Sequence, residues 1–463
     1  MKFVNRQEEL KSLEDRYRTN KAEFVVIYGR RRVGKTELIA QFCKDKKSIY
    51  YIANKTNDFV QMQKIIDRIA GNFNERIPLI KDWDEFFKYL AEKSENRLIF
   101  VIDEFPYLMM SNKAIPSIFQ AGWDEYLGKT KIFLILCGSS ISMMEKGVLS
   151  YKSPVYGRRT SQLKIEPLTF ERAREFFPKA GIEKQIVNYA VLGGIPMYLE
   201  CFDKSNAIEN IREHLLKKSS PLYEEPLFLM REELREPFSY FLILEALANG
   251  GIRMNEISIK TNMEVYKLPK YLNVLQNLGY IKKIYPVTEM TKKSKNTLYC
   301  IADNFLKFWF KFIYPNFDYL EIKQEEKVIE IIERDIDSYV GRAYEKVCME
   351  FLIDANRKNL LPFGFSKIGS WWTRKGDEID IAALNEETKE ILLCECKWTK
   401  QQIDLNIIHD LIKKSKLIDA NLTKKFALFS KSGFTEKAIK FMDENEIRHY
   451  DLKDIENLLN LQV

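Results

Sequence analysis

Apolar runs and amphipathic stretches alternate over the first third of the chain. Phe24–Val25–Val26–Ile27–Tyr28 is apolar or aromatic at every position, which predicts a strand buried on both faces. Leu98–Ile99–Phe100–Val101–Ile102 and Ile132–Phe133–Leu134–Ile135–Leu136 read the same way, Ser48–Ile52 is a further strand, and a last one leads to Leu168. Between them, Asp58–Phe73 carries Phe59, Met62, Ile65, Ile66 and Ile69 at helical spacing, and Trp83–Lys93 turns Phe86, Phe87 and Leu90 to one side. Strands alternating with helices predict an α/β fold with a doubly wound parallel sheet. From Thr169 to about Leu234 the pattern is helical throughout, broken at Gly193–Gly194–Ile195–Pro196 and at Pro221.

The pattern changes again after Pro237. Tyr240–Ala248, Met254–Thr261 and Glu264–Leu278 read as three helices, the last with Leu268, Leu272, Leu275 and Leu278 in register and Gly279 as its stop. Tyr280–Pro286, a turn carrying Lys292, Lys293 and Lys295, and Leu298–Ile301 follow as a hairpin. Three helices and a two-stranded wing predict a winged helix-turn-helix, with Lys267, Lys270 and Asn273 offered to a major groove and the wing lysines to phosphates. A rigid adaptor without nucleic-acid contact has the same pattern. Tyr314–Pro315 and the polar Lys323–Lys327 read as a linker, Ser338–Leu352 as a helix, and Glu378–Leu384 and Glu390–Lys397 as strands joined by the turn Asn385–Lys389. The expected divisions are 1–168, 169–236, 237–312 and 325–463.

The chemistry lies at the ends of these elements. Gly29–Arg30–Arg31–Arg32–Val33–Gly34–Lys35–Thr36, followed by Glu37, is G-x-x-x-x-G-K-[ST] with a strand before it and a helix after it. Backbone N–H groups of such a loop curl around a β-phosphate at a helix N-terminus. Lys35 would reach the β- and γ-phosphates of ATP, and the Thr36 hydroxyl would hold Mg²⁺. Asp103 and Glu104 close a buried strand, the edge at which an open α/β sheet binds ligands. Asp103 would hold Mg²⁺ through water, and Glu104 would activate the attacking water. Ser139 or Ser140 ends the next strand at what resembles the sensor position of similar ATPases, which implies a γ-phosphate contact, although ordinary turn chemistry also explains Gly-Ser-Ser. Tyr156–Gly157–Arg158–Arg159 is similar to a Gly-Arg that related ATPases use to sense the γ-phosphate, which makes Arg158 or Arg159 a candidate sensor, and a solvated basic turn is the alternative.

In the last segment Glu395 and Lys397 share one strand face by the two-residue period, while Cys394 and Cys396 point the other way. The hairpin brings Asp380 beside them. Two carboxylates and a lysine in this arrangement suit Mg²⁺ binding and activation of water for phosphodiester cleavage, and Glu345 on the preceding helix resembles the additional acid that similar nuclease folds carry. A solvated ion pair on an edge hairpin is the alternative.

Composition narrows the class. The chain has 463 residues, 46% hydrophobic and 30% charged, so it is globular and long enough for roughly three domains. No apolar run is long enough to span a bilayer, and the first residues lack the apolar core of a secretory signal. Seven scattered cysteines without a C-x-x-C pair suit a reduced cytoplasm without structural zinc. Lys and Arg number 73 against 66 Asp and Glu, a net +7 that mildly favours an anionic partner. His214, His409 and His449 lie far apart, which argues against a histidine metal site or triad.

Phe3-x-x-Arg6-x-x-Glu9-Leu10 just upstream of the P-loop resembles the N-terminal signature of archaeal-type AAA ATPases, near the STAND NTPases. That resemblance implies a segment lying against the nucleotide base. Leu192-Gly193-Gly194-Ile195-Pro196-x-Tyr198-Leu199 is similar to the helical lid of that family. Asp380 with Glu395-x-Lys397 resembles the PD-(D/E)xK nuclease core, here without the proline before the aspartate, Ile379 standing there. The whole chain resembles an archaeal-type ATPase fused to domain of unknown function 234. It implies an Mg²⁺-dependent, cytoplasmic ATPase coupling nucleotide state to duplex DNA binding or processing, with homo-oligomerisation left open. An ATP-gated, STAND-like switch acting on a protein partner, its nuclease-like site inert, is the alternative. A transcription regulator using the winged helix alone would leave Asp380, Glu395 and Lys397 without a purpose.

Overall fold

The computed structural model describes residues 4–203, 206–234, 236–289 and 296–460. It contains two compact units, Met1–Pro167 and Leu168–Val463.

The first unit is built on five strands: β1 (Glu23–Tyr28), β2 (Ser48–Ile52), β3 (Leu98–Asp103), β4 (Ile132–Gly138) and β5 (Ser161–Lys164). They lie in the order β2-β3-β4-β1-β5, and every neighbouring pair is parallel. β1, β3 and β4 are buried at every residue, as their unbroken apolar sequences require. Asp58–Phe73 and Trp83–Lys93 form as predicted, each started by an asparagine or aspartate whose side chain accepts a backbone N–H. Phe59 is the exception on that face. It stands 52% exposed in the first helical turn, while Met62, Ile65, Ile66 and Ile69 are buried. Helices Phe105–Ser111 and Ile115–Glu125, which the sequence pattern left unread, each carry a proline in the first turn, where its missing N–H is harmless.

In the second unit, helices Pro237–Ala248, Met254–Thr261 and Leu268–Asn277 precede an antiparallel pair, β6 (Ile281–Ile284) and β7 (Leu298–Ile301). The third helix starts at Leu268 rather than Glu264, because Pro269 suits only a first turn. Lys292, Lys293 and Lys295 lie outside the described residues. The expected linker is largely helical: Phe317–Glu321 is a short helix, and Glu325–Arg357 is one continuous helix reaching well before Ser338. Buried Val328, Ile329 and Ile332 supply the inner face that the polar Lys323–Lys327 hid.

The chain closes on a second five-stranded sheet: β8 (Lys367–Trp372), β9 (Glu378–Asn385), β10 (Glu390–Lys397), β11 (Thr423–Ser430) and β12 (Arg448–Tyr450). β8, β9 and β10 form an antiparallel meander, and β10, β11 and β12 are parallel, with Leu405–Ser415 and Glu436–Glu444 as the intervening helices. β8 had no counterpart in the sequence reading. None of the described helices is long and apolar enough to cross a membrane.

Candidate nucleotide and carboxylate sites

The loop from Gly29 to Gly34 joins β1 to the helix Lys35–Cys43. Gly34 has φ 90°, and a Cβ on Gly29 would stand 2.3 Å from the Ile165 carbonyl oxygen, so both positions exclude side chains. The Lys35 ammonium donates to the carbonyls of Gly29 at 3.0 Å and Arg30 at 2.8 Å, across the mouth of the loop. Burial lowers its pKa, opposed by the nearby carboxylates of Glu104 and Asp103. The Thr36 hydroxyl donates to Asp103 at 3.0 Å. A hydroxyl and a carboxylate meeting at the phosphate end of the loop are the oxygen donors that Mg²⁺ takes. Arg31, Arg32, Val33 and Glu37 complete the loop and the first helical turn.

Glu104 follows at φ 52°, ψ 40°, a left-handed backbone that a residue other than glycine seldom adopts. Its carboxylate accepts from the Ser139 hydroxyl at 2.8 Å. Of the two serines ending β4, Ser139 is thus the one engaged with an acid.

Tyr50 escaped the sequence reading, and so did the role of Arg6. The Tyr50 hydroxyl on β2 donates to Asp103, and burial together with that carboxylate raises its pKa. Arg6, buried and at φ 77°, donates to the carbonyls of Val33 at 3.1 Å and Glu166 at 2.6 Å, and pairs with Glu9 at 2.9 Å. The arginine of the N-terminal signature therefore braces the P-loop backbone. Arg158 is turned to the surface in a two-pronged bridge with Asp124, at 3.1 and 2.8 Å, and Arg159 donates to the Leu149 carbonyl at 3.0 Å.

In the second unit the β9–β10 ladder ends with Cys394 opposite Ile381, so Asp380 and Glu395 come next, side by side. Asp380 accepts the Cys396 N–H at 2.8 Å, and Lys397 donates to Glu395 at 2.6 Å. Burial first, then the Glu395 charge, pushes the Asp380 carboxyl up to about 6. Glu345, on helix Glu325–Arg357, is raised to about 8 by burial and then by Asp380. Arg342 bridges Glu345 at 3.8 Å and Glu378 at 3.2 Å. Cys394 and Cys396 are buried, as expected.

The three-acid set fares differently. Among the described residues no group of three His, Cys, Asp or Glu side chains is arranged to hold a metal ion. Asp380, Glu395 and Glu345 therefore form a facing pair with a third acid acting on it through space, rather than a cage. Glu395 is only 5% exposed, and its Oε2, without a hydrogen-bond partner, lies 3.9 Å from the Lys414 ammonium.

A strand–loop–helix of this geometry, with two acids at the end of a parallel strand one removed from it in the sheet, defines a P-loop ATPase. A family model described as "ATPase domain predominantly from Archaea" matches residues 3–202, and one described as "Archaea bacterial proteins of unknown function" matches residues 309–408. The uncharacterized protein MJECL04 of Methanocaldococcus jannaschii is 40% identical over 457 residues, covering 98% of this chain and 99% of that protein. The chain belongs to that family, in which an archaeal ATPase region is joined to the region of unknown function. An uncharacterized ATP-binding protein of the same organism, MJ0423, is 58% identical over 45 residues, 10% of this chain and 76% of that protein. Among solved structures, the Walker-type ATPase PABY2304 of Pyrococcus abyssi matches with TM-score 0.51 at 21% identity, over 66% of this chain and 96% of that one, a likeness of fold.

Proposed function

We propose that the chain is an Mg²⁺-dependent ATPase whose nucleotide state controls nucleic-acid binding or processing by the second unit. The observation that carries the reading is Glu104, set in a left-handed backbone, tethered to Ser139 and adjacent to the Asp103–Thr36 pair. Lys35 would hold the β- and γ-phosphates, Thr36 and Asp103 would hold Mg²⁺, and Glu104, oriented by Ser139, would take the proton of the attacking water. Mg²⁺, when bound, neutralises charge on the phosphates.

The three helices and hairpin of 237–301 suit a winged helix, with Lys267, Lys270 and Asn273 all exposed on its third helix or just before it. The Asp380, Glu395 and Lys397 group suits a PD-(D/E)xK-like site. There Asp380 and Glu395 would hold a divalent cation and Lys397 would offset charge on the scissile phosphate.

Lys35→Ala should abolish or greatly weaken ATP binding. Glu104→Gln should keep ATP binding while turnover falls by about 10²-fold or more. Equal loss of binding in both variants, read by calorimetry, would remove the role assigned to Glu104.

A second reading, an ATP-gated switch with a protein partner, draws on one surface. Val265 and Tyr266, just before Lys267, are 41 and 73% exposed, and Ile259 on the preceding helix is 81% exposed, apolar side chains suited to a protein contact.

A further inference from the structure

A cleft of about 580 Å³ lies within the second unit, bounded by β6 and β7, the segment Asn304–Ile313, helix Glu325–Arg357 and the start of β9. Its lining is strongly cationic. Lys282, Lys307, Lys311, Arg342 and Lys346 face it, against two carboxylates, Glu345 and Glu378. Arg342 is already committed to those two acids, at 3.8 and 3.2 Å. Among the described residues no carboxylate lies within salt-bridge range of Lys282, Lys307 or Lys311. Lys307 and Lys311, one helical turn apart, instead stand 5.6 and 5.7 Å from the centre of the same Tyr339 ring.

Gathering unneutralised ammonium groups in a half-buried cleft is unfavourable for the protein alone. Burial lowers the pKa of Lys307, and Arg342 and Lys311 lower it further. Lys346 is lowered by burial and by Lys282, with the Glu350 carboxylate opposing. An anion with spaced charges would relieve that repulsion at several points. The aromatic tips here are otherwise engaged: Trp372 donates to Asn296 at 3.1 Å, and Tyr339 donates to the Ala190 and Asn304 carbonyls at 3.1 and 2.9 Å. The ammonium groups of the lining suit phosphates. Its acidic end adjoins the second-unit carboxylates, since Glu378, in the lining, stands two residues before Asp380 on β9 and so shares its strand face.

We propose that this cleft is the nucleic-acid track of the protein, in which Lys282, Lys307 and Lys311 neutralise successive phosphates of a phosphodiester backbone and direct it toward Asp380, Glu395 and Lys397. The inference rests on the nucleic-acid reading above and deepens it, moving the main contact away from Lys267 and Lys270. Recognition is sequence-independent and salt-sensitive.

The test is fluorescence anisotropy of the full chain with a labelled single-stranded DNA oligonucleotide and its duplex across a salt series. The Lys282→Ala/Lys307→Gln/Lys311→Ala variant should flatten the log Kobs against log salt slope by about 0.7 per lost contact on the single strand, or about 0.9 on duplex. The matching triple arginine variant should restore the slope. Lys311→Ala alone, at a half-buried position, should show about one third of the change, which guards against misfolding of the triple variant. Unchanged binding by the triple variant, with loss in Lys267→Ala/Lys270→Ala, would overturn the cleft and leave the broader reading standing. Failure of the unaltered chain to bind either DNA at low salt would overturn both.

Discussion

Arg6 shows how one side chain can hold a catalytic loop. Its guanidinium spans the Val33 and Glu166 carbonyls, 27 and 160 residues away in sequence. Arg6→Ala leaves those acceptors and Glu9 without their partner, a cost of about 1–3 kcal/mol. The expected result is a lower thermal midpoint together with weaker ATP affinity, because the bonded carbonyl of Val33 belongs to the P-loop itself. A lower midpoint with unchanged ATP affinity would make Arg6 purely structural. Glu345 carries a second residue-scale prediction, this one in pH. Its carboxyl titrates near 8 in the folded chain against an ordinary value of 4.5. Between those values the folded protein keeps a proton that the unfolded chain releases, so this group's contribution to stability falls as pH rises through that window. Glu345→Gln removes the penalty, while Arg342 retains Glu378 at 3.2 Å. The gain in thermal midpoint over the unaltered chain should therefore be small at pH 5 and grow to pH 9. A constant difference across that range would contradict the burial and repulsion described.

At the scale of elements, β9 and β10 bring two carboxylates together that neither strand holds alone. Antiparallel pairing sets Asp380 next to Glu395, and the two-residue period puts Lys397 on the same side as Glu395. Two buried like charges repel, so Mn²⁺ added to the nucleotide-free full chain should raise its thermal midpoint. Asp380→Ala should remove that rise. Lys397→Ala should preserve it but stop any nicking of plasmid DNA, since the lysine's role is toward the phosphate rather than the cation. No metal-dependent rise in the unaltered chain would favour the inert-site switch.

For the molecule as a whole, the question is whether ATP and nucleic acid communicate. Glu104→Gln, which should bind ATP without turning it over, provides a persistent ATP-bound state. If nucleotide state controls the second unit, its affinity for labelled DNA should differ with and without ATP by about 5-fold or more, the lower end of ordinary coupling energies. Lys35→Ala should show no such dependence. Equal affinities in the ATP-bound and nucleotide-free states would separate the two activities.

The sequence alone determined whatever depends on near neighbours. The P-loop, the buried strand before it, the helix after it and the acids at the end of β3 were legible because strand burial, helical spacing and a Gly-rich loop are written within a few residues. The pairing of Asp380 with Glu395 was legible for a related reason: a five-residue turn between two strands leaves few registers. Tertiary structure decided the rest. Tyr50 reaches Asp103 across 53 residues, Ser139 reaches Glu104 across 35, and neither link leaves a local pattern. The polar start of helix Glu325–Arg357 concealed its continuity, because Val328, Ile329 and Ile332 declare an inner face only once something packs against it. The lysine cleft is the extreme case. Lys282, Lys307 with Lys311, and Lys346 lie on three separate elements, and solvated lysines look alike in sequence until folding brings them together.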